Sequence, residues 1–460
     1  MDTTDWWGAH LLHRGRPDTP WARVTDPVPL GRLRERVAEA RALLAAEGVR
    51  RGSSVALQMP PGLTVLQVML ATWSLGAQVM LLDPRLKQAE TDRLLARCEP
   101  QFLITSPQLG QVVAGIVESC DVVVAARASG RPAQDEVCLV QFSSGSTGLP
   151  KVIGRTPQSL LAELDSYTAL AGMPGAGERI VLLNSVLHTM GLIGGVLHGL
   201  NAGVEIVLPP RAQPSDILRA AVETRAEAVF GVPVHFDLLS RVTSTPLPAL
   251  RVAVSAGEVL AHEVYDRFAE TYDVAISPVY GSTETGIIAA DLAGSTRPPG
   301  VGTPVSGIAV READGGLEVA LARSPYLLDD GVDRYRDGWL RTFDRCRIDA
   351  VTGALEILGR ADSVAVVGGL KVDLVEVEAV LREHPAVHEA VVLAGDVIEA
   401  HVGCEPQLES GELVRWCRER LSDYKVPRRF YPGPAVPRNS NGKIIRSREL
   451  LHAAYATSGS

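Results

Sequence analysis

The sequence predicts an α/β protein. A large N-terminal domain of βα subdomains carries a small β-rich subdomain, and a small, mobile α+β domain follows. Three observations predict this. Short apolar runs alternate with helical patterns from Leu30 to Thr271, which indicates a mostly parallel sheet covered on both faces. From Gly302 to about Leu358 the pattern changes to short strands and turns, and after Gly359-Arg360 a separate βα pattern begins. The 460 residues are enough for two or more cores. The division falls between residues 1–358, the core domain, and 359–460, the mobile unit.

Leu30 to Gly48 has apolar residues at helical spacing, with Gly48 as its stop. Ser54 to Met59, Val79 to Leu82 and Phe102 to Ile104 read as strands, with helices around Leu66 to Leu75 and over Gln88 to Arg97. Val137 to Phe142 and Val152 to Thr156 are extended, and a helix runs from Gln158 to Leu170. Arg179 to Leu183, Val204 to Leu208, Ala228 to Val232 and Leu250 to Ser255 continue the strands. Helices fall over Gly191 to Leu200, Pro214 to Thr224, Pro233 to Leu239 and His262 to Thr271. In the C-terminal unit, Glu376 to Arg382 and Gly411 to Arg420 are helical and Ala390 to Leu393 is a strand.

Composition is that of a soluble globular protein, with 46% apolar and 22% charged residues. A net charge of −9 excludes a broad basic footprint for nucleic acid. The six cysteines are scattered, with no CxxC pair, so reduced thiols in a cytoplasmic setting are expected rather than a zinc site or disulfide framework. The N-terminus lacks the layout of a signal peptide. Val65 to Leu82 contains Gln67, Ser74, Gly76 and Gln78, and reads as a buried helix and strand rather than a membrane span.

Chemistry concentrates first in Ser143 to Lys151, SSGSTGLPK. Between two strands, Gly145 and Gly148 permit close backbone approach to a ligand. Ser143, Ser144, Ser146 and Thr147 supply hydroxyls, and Lys151 a mobile positive charge. A polyphosphate fits this loop. It is not a Walker loop, since no GK[ST] follows and the next element does not start a helix.

Three further polar clusters follow in order: YGSTETG at Tyr280 to Gly286, DGWLRTFD at Asp337 to Asp344, and PRNSNGKIIR at Pro437 to Arg446. Together with SSGSTGLPK they resemble the adenylate-forming superfamily of acyl-CoA synthetases, stand-alone adenylation domains and luciferases. The resemblance covers nearly the whole chain. It implies two half-reactions: a carboxylate attacks the α-phosphorus of ATP to give an acyl-adenylate and pyrophosphate, then a thiol displaces AMP. Attack of one anion on another calls for cations and oriented donors. By the resemblance, Ser143, Ser144, Gly145, Ser146, Thr147, Gly148 and Lys151 cover the β- and γ-phosphates. Tyr280, Gly281 and Ser282 line the nucleotide, Thr283 contacts the α-phosphate, and Glu284 ligates Mg²⁺. Asp344 accepts the ribose hydroxyls with Arg360 near the same edge, and Lys443 bridges the carboxylate and α-phosphate. Ser255, Ala256, Gly257 and Glu258 border the adenine and acyl pocket, and His188 gates the carboxylate site. Asp362 is the hinge, and Gly368 and Gly369 line the pantetheine tunnel of coenzyme A. Met190, Gly191, Ile193, Gly194, Val232 and Val234 suggest an apolar acyl cavity. No aspartate stands where α-amino-acid-activating relatives hold the ammonium group, since Asp237 lies in a helix-like segment.

The chain departs from the family pattern near the nucleotide. Phe343 replaces a glycine, Val152 follows Lys151 where glycine is common, Arg155-Thr156-Pro157 replaces a threonine-histidine ending, and Ala365 and Val366 stand where a basic residue often follows the hinge. The expected activity is an acyl-CoA ligase for a hydrophobic or aromatic acid, of the kind used in specialised metabolism, with ATP/AMP, Mg²⁺ and coenzyme A. Two alternatives are a ligase that only thioesterifies a supplied acyl-adenylate, and an adenylation enzyme loading an acyl or peptidyl carrier protein. A non-catalytic acyl- or adenylate-binding protein is disfavoured, because binding alone does not require Thr283, Glu284, Asp344 and Lys443 together.

Overall fold

The computed structural model describes residues 6–86, 88–111, 115–133, 136–143, 151–242, 245–328, 334–360, 364–367, 370–395, 397–421, 423–439 and 442–457. It has the expected mixed α/β architecture, with a large N-terminal and a small C-terminal domain.

Two sheets build the large domain. The described part of the first has six strands, in the order Val123–Ala126, Phe102–Thr105, Ser54–Gln58, Gln78–Leu81, Leu139–Ser143 and Lys151–Arg155. Its four central strands are parallel and both edges antiparallel. The second has nine, with Arg179–Leu182, Glu205–Val207, Ala228–Gly231, Val252–Ala256 and Ile276–Ser282 parallel in its interior. The antiparallel strands Gly286–Ala290 and Thr303–Pro304 lie at one edge. "Mostly parallel" therefore holds for the interiors, and antiparallel strands close the edges.

The packing follows from the sequence. Val252–Ala256 and Ser54–Gln58 are buried along their whole length, as strands covered on both faces must be. The helix Leu63–Ser74 is buried all round and belongs to one core shared by both sheets. The helical run expected over Gly191 to Leu200 is a π-helix, Met190–Leu197, continued by an α-helix, His198–Ala202. Gly191 permits this, because a Cβ there would lie 2.1 Å from Ser185 O.

A smaller sheet of Val310–Ala313, Gly316–Ala320, Tyr335–Arg336, Trp339–Ile348 and Leu355–Arg360 forms the β-rich subdomain. The C-terminal domain has its own core from Val372 to Val426, beside the sheet Val387–Ala394, Ile398–Cys404 and Arg429–Gly433. All six cysteines are free thiols. Among the described residues, no helix is long and apolar enough to cross a membrane.

Candidate active site

Residues from four substructures meet around the hairpin of Ile276–Ser282 and Gly286–Ala290. Its tip is tightly made. Ser282 Oγ lies 3.0 Å from Thr285 Oγ1 and accepts the Thr285 N–H at 3.3 Å. A Cβ at Gly281 would stand 2.4 Å from Gly286 O, so glycine is required for the approach. This turn presents Thr283 and Glu284, both half-buried.

The smaller sheet brings in Asp344. Tyr280 donates its hydroxyl to Asp344 Oδ2 at 2.5 Å, and the Asp344 N–H donates to Thr342 Oγ1 at 3.1 Å. Asp344 pairs with Arg360 across adjacent strands, so the backbone sets these two positions side by side. Phe343 takes a left-handed φ of +62°, a conformation suited to glycine.

The six-stranded sheet brings in Lys151, which pairs with Ser143 and is only 8% exposed. Its Nζ lies 5.9 Å from the centre of the Tyr326 ring, and the Tyr326 hydroxyl donates to Glu284 Oε1 at 3.2 Å. Tyr326 is placed by a β-bridge to Ile153, two residues beyond Lys151. Burial and the neighbouring Glu284 carboxylate push the Tyr326 pKa up, so the phenol stays a donor. Lys151 and Glu284, from different sheets, thus share one aromatic neighbour.

A buried ion pair ties the same two sheets together below the site. Arg155 Nη2 donates to Glu163 Oε2 at 2.8 Å, with both side chains at most 4% exposed. Glu163 Oε1 accepts the Ile287 N–H at 3.2 Å. Its carboxylate fills the space over Gly286, where a Cβ would come within 2.2 Å. Thr156 caps the helix Pro157–Thr168 through a capping box with Ser159, and Pro157 sits in its first turn. Arg155-Thr156-Pro157 therefore has a structural reason: one residue anchors the hairpin and two start the helix that carries Glu163. Val152 is 2% exposed and packs with Ala56, Met80 and Val140 in a core cluster.

The fourth contribution comes from the C-terminal domain. Lys443 is exposed and reaches Gly257, where a Cβ would be 3.6 Å from Lys443 Nζ. The adjacent Ile444 N–H donates to Glu258 Oε1 at 3.3 Å. Burial raises the Glu258 pKa, while Arg438, Lys443, the Ile444 amide and Arg446 oppose that rise. Ser255 and Ala256 are buried at the end of the preceding strand, and Ala256 pairs with Val279, next to Tyr280. These residues lie at the carboxyl ends of parallel strands, where open α/β sheets place ligands.

His188 is half-buried just before the π-helix. Gln141, on the strand Leu139–Ser143, holds this segment: its Nε2 donates to Leu187 O at 3.0 Å and its Oε1 accepts from Thr189 Oγ1 at 3.3 Å. Gly191, Ile193 and Gly194 are buried and Met190 half-buried. The Tyr167 ring and Met190 Sδ close over Gly194, 2.8 and 3.1 Å from where its Cβ would be. Asp237 is engaged by Arg241, at 3.0 and 3.1 Å, and by Arg267.

The structure thus brings together Lys151, Tyr280, Gly281, Ser282, Thr283, Glu284 and Asp344, with Ser143 and Arg360 placed by their backbones. Ser255, Ala256, Gly257 and Lys443 form the adjoining edge. Ser144, Gly145, Ser146, Thr147, Gly148, Asp362, Gly368 and Gly369 lie outside the described residues. Sequence reasoning missed Tyr326 and the Arg155–Glu163 pair. A carboxylate in the apolar face of an amphipathic helix was the one signal for Glu163. Tyr326 gave none.

This fold and site define an AMP-binding enzyme. Residues 30–320 match the AMP-binding enzyme family and residues 376–443 the AMP-binding enzyme C-terminal domain. The chain is 31% identical to the phosphinothricin tripeptide synthetase PhsC of Streptomyces viridochromogenes, over 90% of its own length but 42% of that of PhsC. It is 26% identical to the 4-chlorobenzoate–CoA ligase of an Arthrobacter species, over 92% of this chain and 90% of the ligase. Its fold matches ATP-bound MatB from Rhodopseudomonas palustris with a TM-score of 0.83, covering 100% of both chains at 20% identity. The chain belongs to the AMP-binding enzyme family within the adenylate-forming superfamily.

Proposed function

We propose that the protein is an acyl-CoA ligase that activates a hydrophobic or aromatic carboxylic acid as its acyl-adenylate and transfers the acyl group to coenzyme A. The observation that carries this reading is the approach of Lys151, Glu284, Asp344 and Lys443 toward one region from three different sheets and the C-terminal domain. In the adenylation half-reaction, ATP lies with its ribose hydroxyls on Asp344, whose orientation the Tyr280 hydroxyl fixes. Lys151, with the loop preceding it, neutralises the β- and γ-phosphates. Thr283 donates to the α-phosphate. Glu284 offers a hard carboxylate oxygen beside these phosphates, the donor that Mg²⁺ takes when it shares its coordination with phosphate and water. A bound Mg²⁺ would supply charge neutralisation across the phosphates.

Lys443 then bridges the attacking carboxylate and the α-phosphate. As a point charge in a site partly closed to water it contributes roughly 10²–10³ in rate. On this reading His188 gates the carboxylate end of an apolar acyl cavity formed near Met190, Ile193, Gly194, Val232 and Val234. Asp237, committed to two arginines, supplies no counter-charge for an α-ammonium group, so an acid without an α-amine fits better. Residues 359–460 form the unit that rotates about Asp362, withdrawing Lys443 and bringing Gly368 and Gly369 to the pantetheine arm. A soluble, cytoplasmic enzyme is consistent with the composition and free thiols.

A second reading, transfer to a carrier-protein phosphopantetheine, is supported by the 31% identity to a peptide synthetase. One experiment separates these readings. A panel of acids is assayed for pyrophosphate release, for acyl-CoA and for carrier loading, with synthetic adenylates in parallel. An acyl-CoA ligase releases pyrophosphate with its acid and forms acyl-CoA. Thioester formation from adenylates alone, without acid-dependent pyrophosphate release, would reject the adenylation half of the proposal.

A further inference from the structure

Phe343 stands where a glycine would be free of strain, at φ +62°. Its ring is not directed at random. The Arg334 guanidinium carbon lies 4.5 Å from the ring centre and that of Arg341 5.6 Å from it, both within cation–π range. The two arginines differ in what else they touch. Arg341 is exposed and lies 3.8 Å from the Glu318 carboxylate. Arg334 is half-buried, and its charge lies near enough to the Tyr326 hydroxyl to oppose the rise of that group's pKa. That hydroxyl in turn donates to Glu284 Oε1 at 3.2 Å, and Lys151 Nζ lies 5.9 Å from the same ring.

Resting on the nucleotide site proposed above, we propose that Arg334 is a further triphosphate-binding residue, held at the polyphosphate end of the site by the ring of Phe343. Two cations then lie near Tyr326, Lys151 over its face and Arg334 on the side of Phe343, with Glu284 accepting from the Tyr326 hydroxyl. A planar guanidinium can donate to two phosphate oxygens at once, which an ammonium cannot do in a fixed plane. Stacking on Phe343 removes much of the rotational freedom Arg334 would lose on binding. Phe343 is accordingly a positioning residue and Arg334 a ligand of the β- and γ-phosphates. The residue that replaces the small one beside Asp344 thus adds to ATP binding instead of blocking it.

This assigns a selective effect. ATP and pyrophosphate carry the groups Arg334 would contact, and AMP does not. The test is equilibrium binding of Mg·ATP, Mg·pyrophosphate and AMP to the full chain, as wild type and as Arg334→Gln, Phe343→Gly and Phe343→Tyr. Loss of one charge-assisted contact predicts about tenfold or more weaker ATP and pyrophosphate binding in Arg334→Gln. AMP binding should stay within about twofold, since no AMP group reaches Arg334, which also shows that the variant is folded. Phe343→Gly should shift ATP in the same direction, and Phe343→Tyr, which keeps a ring, should not. Equal losses for ATP and AMP, or unaltered ATP binding in Arg334→Gln, would overturn the proposal. Wild type that binds neither nucleotide would overturn the nucleotide site itself, a result distinct from tight wild-type binding that Arg334→Gln leaves unchanged.

Discussion

Lys443 lies against Gly257. A Cβ at Gly257 would be 3.5 Å from Lys443 Cε and 3.6 Å from its Nζ, and the Gly257 backbone is left-handed at φ +97°. The C-terminal domain therefore delivers its ammonium group to a position kept open by the absence of a side chain.

The first prediction concerns that contact. Lys443→Ala should lower adenylation by roughly 10²–10³ while sparing thioester formation from a supplied acyl-adenylate. Gly257→Val, strained by its φ and crowding the lysine, should follow the same pattern more weakly. Separate rates for the two half-reactions decide it, and equal loss in both would contradict the role given to Lys443.

Tyr280→Phe removes the donor that orients Asp344. A hydrogen bond to an ionised carboxylate is worth about 1.5–3 kcal/mol, so the KM for ATP should rise about tenfold or more. The KM for coenzyme A should hold. A variant with wild-type ATP dependence would show that the 2.5 Å contact does not set the ribose site.

Glu163→Ala strands Arg155 in the interior, a change that costs about 3–5 kcal/mol. The melting temperature should fall by several degrees, and ATP binding should weaken because Ile287 and the Glu284 turn lose their anchor. The double variant Arg155→Met/Glu163→Leu should recover much of the stability, without the full recovery of ATP binding. Calorimetry with nucleotide titration checks both parts.

Acid should loosen the C-terminal domain. Burial holds the His401 pKa at about 4, with His452 and Arg448 adding to the shift and Glu399 opposing it. Burial raises the Glu399 pKa, but hydrogen bonds from His452 and Arg448 outweigh it and hold the carboxyl below its usual value. Both folded-state values are depressed. The histidine's contribution is thus intact above about pH 6.5 and shrinks as pH falls toward 4, and the carboxylate's is lost below about pH 4.5. His401→Phe, which keeps the stacking on Tyr431 (4.7 Å between ring centres), should flatten the melting curve between those two pH values. An unchanged pH dependence in the variant would refute this.

The sequence made much of this legible for physical reasons. Interior strands such as Gln78–Leu81, Ala228–Gly231 and Val252–Ala256 are buried along their whole length, so they read as nearly continuous apolar runs, and the expected helix over Pro214 to Thr224 spans the same residues in the structure. The candidate site was legible where its chemistry is local: a hairpin tip that needs Gly281, or a lysine flanking a polar loop. It was not legible where a contact joins distant segments. Tyr326 meets Glu284 because its segment bridges Ile153, and nothing in SPYLL announces that pairing. Val152, which follows Lys151 where glycine is common, is turned into the core by strand alternation, an orientation that its place beside a polar loop does not announce. The helix at Arg448–Thr457 is short and half polar, and left too weak a period to be read.

The link from Arg155 through Glu163 to Ile287 also bears on how the protein can be recombined. Arg155 and Glu163 stand eight residues apart, Ile287 lies 124 residues beyond Glu163, and the carboxylate between them is matched in charge to Arg155 and in shape to Gly286. A chimera spliced between residues 155 and 163, or anywhere from 163 to 286, inherits a donor from one parent and its acceptor from another. Grafts that move substrate preference should therefore carry the three together. Otherwise the penalty will surface as insoluble product before any change of specificity can be observed.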